Sequence, residues 1–109
     1  MKLDFGTPQV DDAGIRGEVL TVDRFGNIVT NIPRGIVSER WRFNQDLEVS
    51  IGGYDIRLRL LRTYGEAGED ALLATMSSSN FLEVAKRNGS AASLLNAKPR
   101  MPVTVRAAT

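Results

Sequence analysis

Five residues near the start of the chain, Asp23-Arg24-Phe25-Gly26-Asn27, bring a carboxylate, an aromatic ring and an amide together, and Thr30-Asn31 adds a second amide close by. An asparagine amide both donates and accepts, which suits the edge of an adenine, and a nearby carboxylate suits an ammonium group. Taken alone, the segment reads first as a plain turn in which Gly26 and Asn27 reverse the chain and Asp23 ties down its backbone. A second group runs from Ser77-Ser78-Ser79-Asn80 through Phe81-Leu82-Glu83-Val84-Ala85 to Asn88-Gly89-Ser90-Ala91-Ala92. Its hydroxyls and backbone amides can hold a carboxylate, and Asn88-Gly89 leads into a helix whose first amides face whatever precedes it. This group too has a bland reading as a serine-rich loop, a half-buried strand and an N-cap.

The rest of the composition narrows the chemistry. The 109 residues contain neither histidine nor cysteine, which leaves no imidazole base, thiolate nucleophile, disulfide or zinc site of the usual kind. Neither a catalytic residue nor a metal ligand is expected in this chain, and no cofactor. Fourteen basic and thirteen acidic residues give a net charge of +1, so no overall field draws the protein to nucleic acid or to an anionic membrane. The Arg57 and Arg59 face could meet phosphates, but the charge balance and the few aromatic residues read as an ordinary solvated face. No run approaches the ~20 apolar residues of a membrane span and no signal peptide is evident, so a soluble, cytoplasmic protein is expected.

The elements that must position the two groups follow from periodicity. Residues 1–13 mix Pro8, Asp11 and Asp12 without an apolar period and read as a leader or interdomain linker, with one domain over 14–109. Gly17 to Arg24 and Ile28 to Ile32 read as two strands joined by a tight turn, and Pro33 ends the second. Ile36 to Trp41 offers a helical turn or two. Leu47, Val49 and Ile51, then Ile56, Leu58 and Leu60, alternate about Gly52-Gly53 as a hairpin with one wet face. The adjoining Leu60 and Leu61 predict a bulge that re-aims Tyr64. Gly65 to Asp70 is a polar loop, and Ala71 to Met76 and Phe81 to Lys86 are further strands. Ser90 to Asn96 is a short helix capped by Ser90 and buried through Leu94 and Leu95, and Val103 to Val105 form a final strand. The expected fold is all-β: a small antiparallel barrel of six to seven strands with one short helix.

The two groups in this order, Val-Asp-Arg-Phe-Gly-Asn-Ile-Val-Thr-Asn-Ile and later Ser-Ser-Ser-Asn-Phe-Leu-Glu-Val-Ala with Asn-Gly-Ser-Ala-Ala, resemble the carboxy-terminal domain of the S-adenosylmethionine hydroxide adenosyltransferase and halogenase family. The likeness runs from Gly14 to Val105. It implies cleavage of S-adenosylmethionine at the ribose C5′ carbon by hydroxide or halide, in trimers that pair an α/β amino-terminal domain with a β-barrel and bind ligand at the seam between subunits. By that resemblance Asn27 is the adenine-binding asparagine, with Phe25 beside it, and Asp23 receives the methionine ammonium group. Ser78, with Ser79 next to it, holds the amino-acid end. Tyr64 flanks the adenine, or else sits as an amphipathic tyrosine at a barrel rim. Backbone groups from Arg87 to Ala91 cover the purine edge. Glu83 matches a family glutamate, with an outward-facing strand residue as the alternative.

Ser77 and Ser79-Asn80 depart from the family pattern, which implies an altered methionine pocket. The α/β domain credited with activating water is not in this sequence, so the chain by itself is expected to bind S-adenosylmethionine or adenosine weakly and not to turn over. A separate α/β partner and a homotrimer are the implied partners. The alternative is a freestanding binding or interaction barrel without catalytic activity.

Overall fold

The structure, a computed structural model, describes residues 8–108; the first seven residues of the expected leader lie outside that range. In chain order the strands are β1 (Gln9–Asp11), β2 (Gly14–Val22), β3 (Ile28–Pro33), β4 (Asp46–Ile51), β5 (Tyr54–Leu60), β6 (Leu72–Met76), β7 (Phe81–Lys86) and β8 (Pro102–Ala107). Two short helices, α1 (Arg34–Arg40) and α2 (Ala91–Leu95), and a single 3-10 turn, Tyr64–Glu66, complete the described chain.

Seven strands close on themselves in the order β2-β3-β7-β6-β5-β4-β8, with β8 returning to pair with β2, and β1 adds to the first half of β2 beside the barrel. The all-β barrel is as expected from the sequence. Helix α1, two turns long, is the helical turn or two read at Ile36 to Trp41, begun two residues earlier. One feature differs from the expectation: the β5–β6 pair is parallel, while the other strand pairs described are antiparallel. A parallel pair cannot be joined by a tight turn. Residues 61–71 therefore make a crossover on the outside of the barrel.

The hairpin of β4 and β5 shows how the alternation works. Leu47, Val49 and Ile51 are fully buried, and Leu58 and Leu60 are nearly so, while Arg57 and Arg59 stand in solvent beside Asp46. Gly52 and Gly53 turn the chain at φ values of 55° and 89°, which glycine adopts without steric cost. These side chains join Ile15, Val19, Ile28, Leu82, Val84, Val103 and Val105 in one core, on which α1 places Val37, followed by Trp41, and α2 places Ala91 and Leu95. Leu94, expected to be buried beside Leu95, is exposed instead. Neighbours on a helix point about 100° apart, so one of the pair must face outward.

The bulge expected at Leu60 and Leu61 is not there, since β4 and β5 pair in regular register to the end of β5. The strand simply stops, and Leu61 turns outward into a second, smaller cluster with Ala67, Leu73 and Ala85. That cluster fastens the 61–71 crossover over the outer faces of β6 and β7. The register shifts lie elsewhere, in β2 between Val19 and Thr21 and in β3 between Val29 and Pro33. In β3 the Thr30 hydroxyl bonds Leu82 O at 2.8 Å and accepts from Ile32 N at 3.2 Å, supplying bonds that the interrupted ladder lacks.

Candidate functional site

The outward turn of Leu61 decides where the site forms. It carries the crossover across the barrel so that Tyr64 lies over β7, within reach of the loop between β2 and β3. The Tyr64 hydroxyl donates to the Glu83 carboxylate and accepts from Asn27 Nδ2 at 3.3 Å. Asn27 Nδ2 also donates to Asp23 Oδ2 at 3.1 Å, and Asp23 Oδ1 accepts from Phe25 N at 2.9 Å and Asn27 N at 3.0 Å. One chain of polar contacts therefore runs from Asp23 through Asn27 and Tyr64 to Glu83. The amide orientation follows from its partners, because Oδ1 facing Asp23 would oppose two acceptors.

Glu83 faces outward from the barrel, as one of the two readings had it, yet it is buried, 4% exposed. It sits on the outer face of β7, between inward Leu82 and Val84, and the crossover covers it. Burial pushes its carboxyl above the ordinary glutamate value and the Asp23 charge adds to that, while the Tyr64 hydrogen bond pulls it back down. Tyr64 is shifted upward as well, chiefly by desolvation and then by its bond to Glu83, so it stays protonated as a donor.

Two backbone approaches hold the loop against α2. Ala92 N donates to Gly26 O at 2.9 Å, and a Cβ on Gly26 would lie 1.9 Å from Ser90 Oγ. Gly26 also has φ +82°, so no other residue fits this contact without strain. Ser90 Oγ meanwhile accepts from Ser93 N at 3.0 Å and caps α2. The Phe-Gly-Asn and Gly-Ser-Ala-Ala motifs thus meet through Gly26 and Ser90.

Around this network opens a cleft of about 550 Å³. Of the residues singled out in the sequence, Asp23, Phe25, Asn27, Tyr64, Ser78, Glu83 and Arg87 line it, and Gly89 contributes the backbone of the Arg87–Ala91 stretch. Phe25 is 66% exposed at the rim, with the Arg24 guanidinium 5.2 Å from its ring centre. Arg87 is anchored by a 2.6 Å bond from Nη1 to Ala67 O, which ties the cleft wall to the crossover.

Ser79 and Ala91 do not line the cleft. The Ser79 hydroxyl pairs with Ser77 Oγ at 3.0 Å inside the turn before β7, and Ala91 begins α2 with its methyl in the core. Asn31, grouped with Asn27 in the sequence, is buried in β3, where its Oδ1 accepts from Glu18 N at 2.8 Å. Its work is structural. Met76, Ala85 and Lys86 also line the cleft, although their residue types and positions suggest no binding role in the sequence, and so does Ser77 of the serine group. Ala85 was accessible to reasoning, since it follows Glu83 by two on one strand and so shares its face. Lys86, 3.6 Å from Asp70, is the cleft cation beside Arg87.

Among the described residues no group of histidine, cysteine, aspartate and glutamate is arranged to hold a metal ion, and no helix is long and apolar enough to cross a membrane. The cleft can therefore bind through amides, hydroxyls, a carboxylate and two cations. Its polar groups are held by one another before any ligand arrives.

Comparison with known proteins identifies the family of the chain. Residues 17–104 match the SAM hydroxide adenosyltransferase C-terminal domain family. The chain belongs to that family. The chain is 42% identical over 90 residues to an (R)-S-adenosyl-L-methionine hydrolase of Thermus thermophilus, covering 83% of this chain and 31% of the relative. Among solved structures, an uncharacterized conserved protein from Thermotoga maritima superposes with a TM-score of 0.88 at 28% identity, over 96% of this chain and 40% of the other. A conserved hypothetical protein from Thermus thermophilus gives 0.67 at 35% identity, over 96% and 39%. The chain thus spans about a third of the length of the curated relative it matches.

Proposed function

We propose that this barrel holds the adenosine and amino-acid ends of S-adenosylmethionine for a hydroxide adenosyltransferase reaction, S-adenosylmethionine plus water giving adenosine and L-methionine. The observation that carries the reading is the polar chain from Asp23 to Glu83 inside a 550 Å³ cleft, on residues 17–104 that match the family.

Asn27 spends both amide protons within the protein, one on Asp23 and one on Tyr64. Its oxygen is left to accept, which suits the exocyclic amine of adenine. Asp23 Oδ2 takes one bond and retains capacity for a ligand ammonium group. The exposed Ser78 hydroxyl, before β7, is the group that would meet the ligand carboxylate, while Lys86 and Arg87 line the cleft at the other end of that strand. Phe25 at the rim offers a ring face for the purine.

Attack on a sulfonium-bound carbon requires a nucleophile in line with the leaving sulfur and shed of its water. The cleft residues hold the substrate; the groups that align and dehydrate the attacking water come from an α/β domain seated on the open side of this cleft, within a homotrimer. The barrel alone binds without turnover.

Calorimetric titration of the chain with S-adenosylmethionine and adenosine tests the reading. Asn27→Ala should abolish heat with both ligands, and Asp23→Asn should weaken S-adenosylmethionine while sparing adenosine. Equal effects of Asp23→Asn on the two ligands would contradict the assignment of Asp23 to the ammonium group.

A further inference from the structure

A second cavity, of about 320 Å³, lies between α1 and the start of the crossover and meets the ligand cleft at Met76. Its floor is apolar, formed by buried Val37, Trp41 and Leu60. Three exposed arginines, Arg34, Arg42 and Arg62, line it, and no carboxylate does. Most other arginines of the barrel have protein oxygens to bond: Arg57 and Arg59 share Asp46, Arg106 meets Glu48, and Arg87 meets Ala67 O. Among the described residues the guanidinium groups of Arg34, Arg42 and Arg62 have no such bond. The Arg62 guanidinium lies over Phe43, 5.1 Å from its ring centre, a contact that favours one orientation.

Three guanidinium groups above an apolar floor form a site for a dianion on a flat apolar body. Arginine matches phosphate geometry with paired N–H donors. We propose that this cavity binds a phosphate monoester whose planar body rests on Trp41 and Phe43 and whose phosphate meets Arg34, Arg42 and Arg62. The site is separate from the adenosine cleft and does not depend on the reading of that cleft.

Trp41 is the chain's one tryptophan and stands in the cavity wall, so its fluorescence reports occupancy directly. Titration of the whole chain with phenyl phosphate should give a saturable change, weakened at least about tenfold in Arg62→Gln and in Arg34→Gln, which corresponds to ~1.4 kcal/mol. Arg16→Gln, on β2 and outside the cavity, should bind as the parent does. Inorganic phosphate, lacking the ring, and benzoate, lacking the second charge, should each bind more weakly. The absence of a saturable response, equal affinity for inorganic phosphate or benzoate, or affinity unchanged in both arginine variants would overturn the proposal. Circular dichroism of the variants guards against a folding artefact, and an adenosine titration of Arg62→Gln keeps the two sites distinguishable.

Discussion

Removing the Tyr64 hydroxyl isolates the contact on which the cleft is built. In Tyr64→Phe the Glu83 carboxylate, 4% exposed, loses the donor that offsets its burial. Leaving a buried acceptor without a partner costs about 1–3 kcal/mol. The cost depends on pH, and its sign follows from the direction of the Glu83 shift. The folded protein holds this proton above 4.5, the ordinary glutamate value, where the unfolded chain has released it. The Glu83 contribution to stability is therefore fully present below 4.5 and is lost as pH rises through the folded value. Tyr64→Phe raises that folded value further, because the hydrogen bond it removes is the one influence pulling it down. Each tenfold change in the acid constant is worth about 1.4 kcal/mol. Urea unfolding of parent and variant should thus show only the ~0.5–1.5 kcal/mol of a neutral hydrogen bond on the acid side of 4.5 and the larger penalty near neutral pH. In a Glu83→Gln background the pH dependence should vanish, and Tyr64→Phe should cost only the ~0.5–1.5 kcal/mol of a neutral hydrogen bond. A penalty that is the same at both pH values, or unchanged by Glu83→Gln, would refute this coupling between Tyr64 and the buried carboxylate.

Gly26→Ala should destabilise the fold by about 2–5 kcal/mol, summing a left-handed backbone penalty and the collision with Ser90. Denaturant midpoints would measure this, and a Ser90→Gly background should recover part of the loss. With Asn27 confined to accepting, inosine, which lacks the exocyclic amine, should bind at least about tenfold more weakly than adenosine by calorimetry, a difference of ~1.4 kcal/mol. Asp46 is held below its ordinary value of 3.8, first by its hydrogen bond from Arg59, so its stabilising contribution is present above 3.8 and fades as pH falls further. NMR titration of the Asp46 side chain should show that low value relax upward in Arg59→Gln.

The hairpin around Gly52-Gly53 was legible because strict alternation and its turn residues agree over the whole length, and nothing remote intervenes. The β2–β3 loop was legible for a similar reason: the contacts of Asp23 lie within four residues. The crossover was not. Leu60 and Leu61 read locally as a bulge, whereas their opposite burial is decided by Leu73 and Ala85, which reach Leu61 only after the parallel pair has formed. Family resemblance puts Tyr64 near the adenine, yet its bond to Glu83 depends on that same nonlocal crossover. Asn31 misleads because its residue type matches Asn27 while its position four residues on, in a strand buried on both faces, gives it a backbone to hold. Ala91 is singled out by the resemblance for its backbone alone, and the first turn of α2 points its methyl into the core.

The most direct test of the ligand-binding reading is an amide chemical-shift map of the isotopically labelled chain titrated with adenosine, which detects even weak binding. Shifts should concentrate at Asn27, Tyr64, Ser78 and Arg87 to Gly89, with the β4–β5 hairpin unmoved. Adenosine that shifts the hairpin instead, or shifts nothing up to its solubility, would contradict a purine site in this cleft.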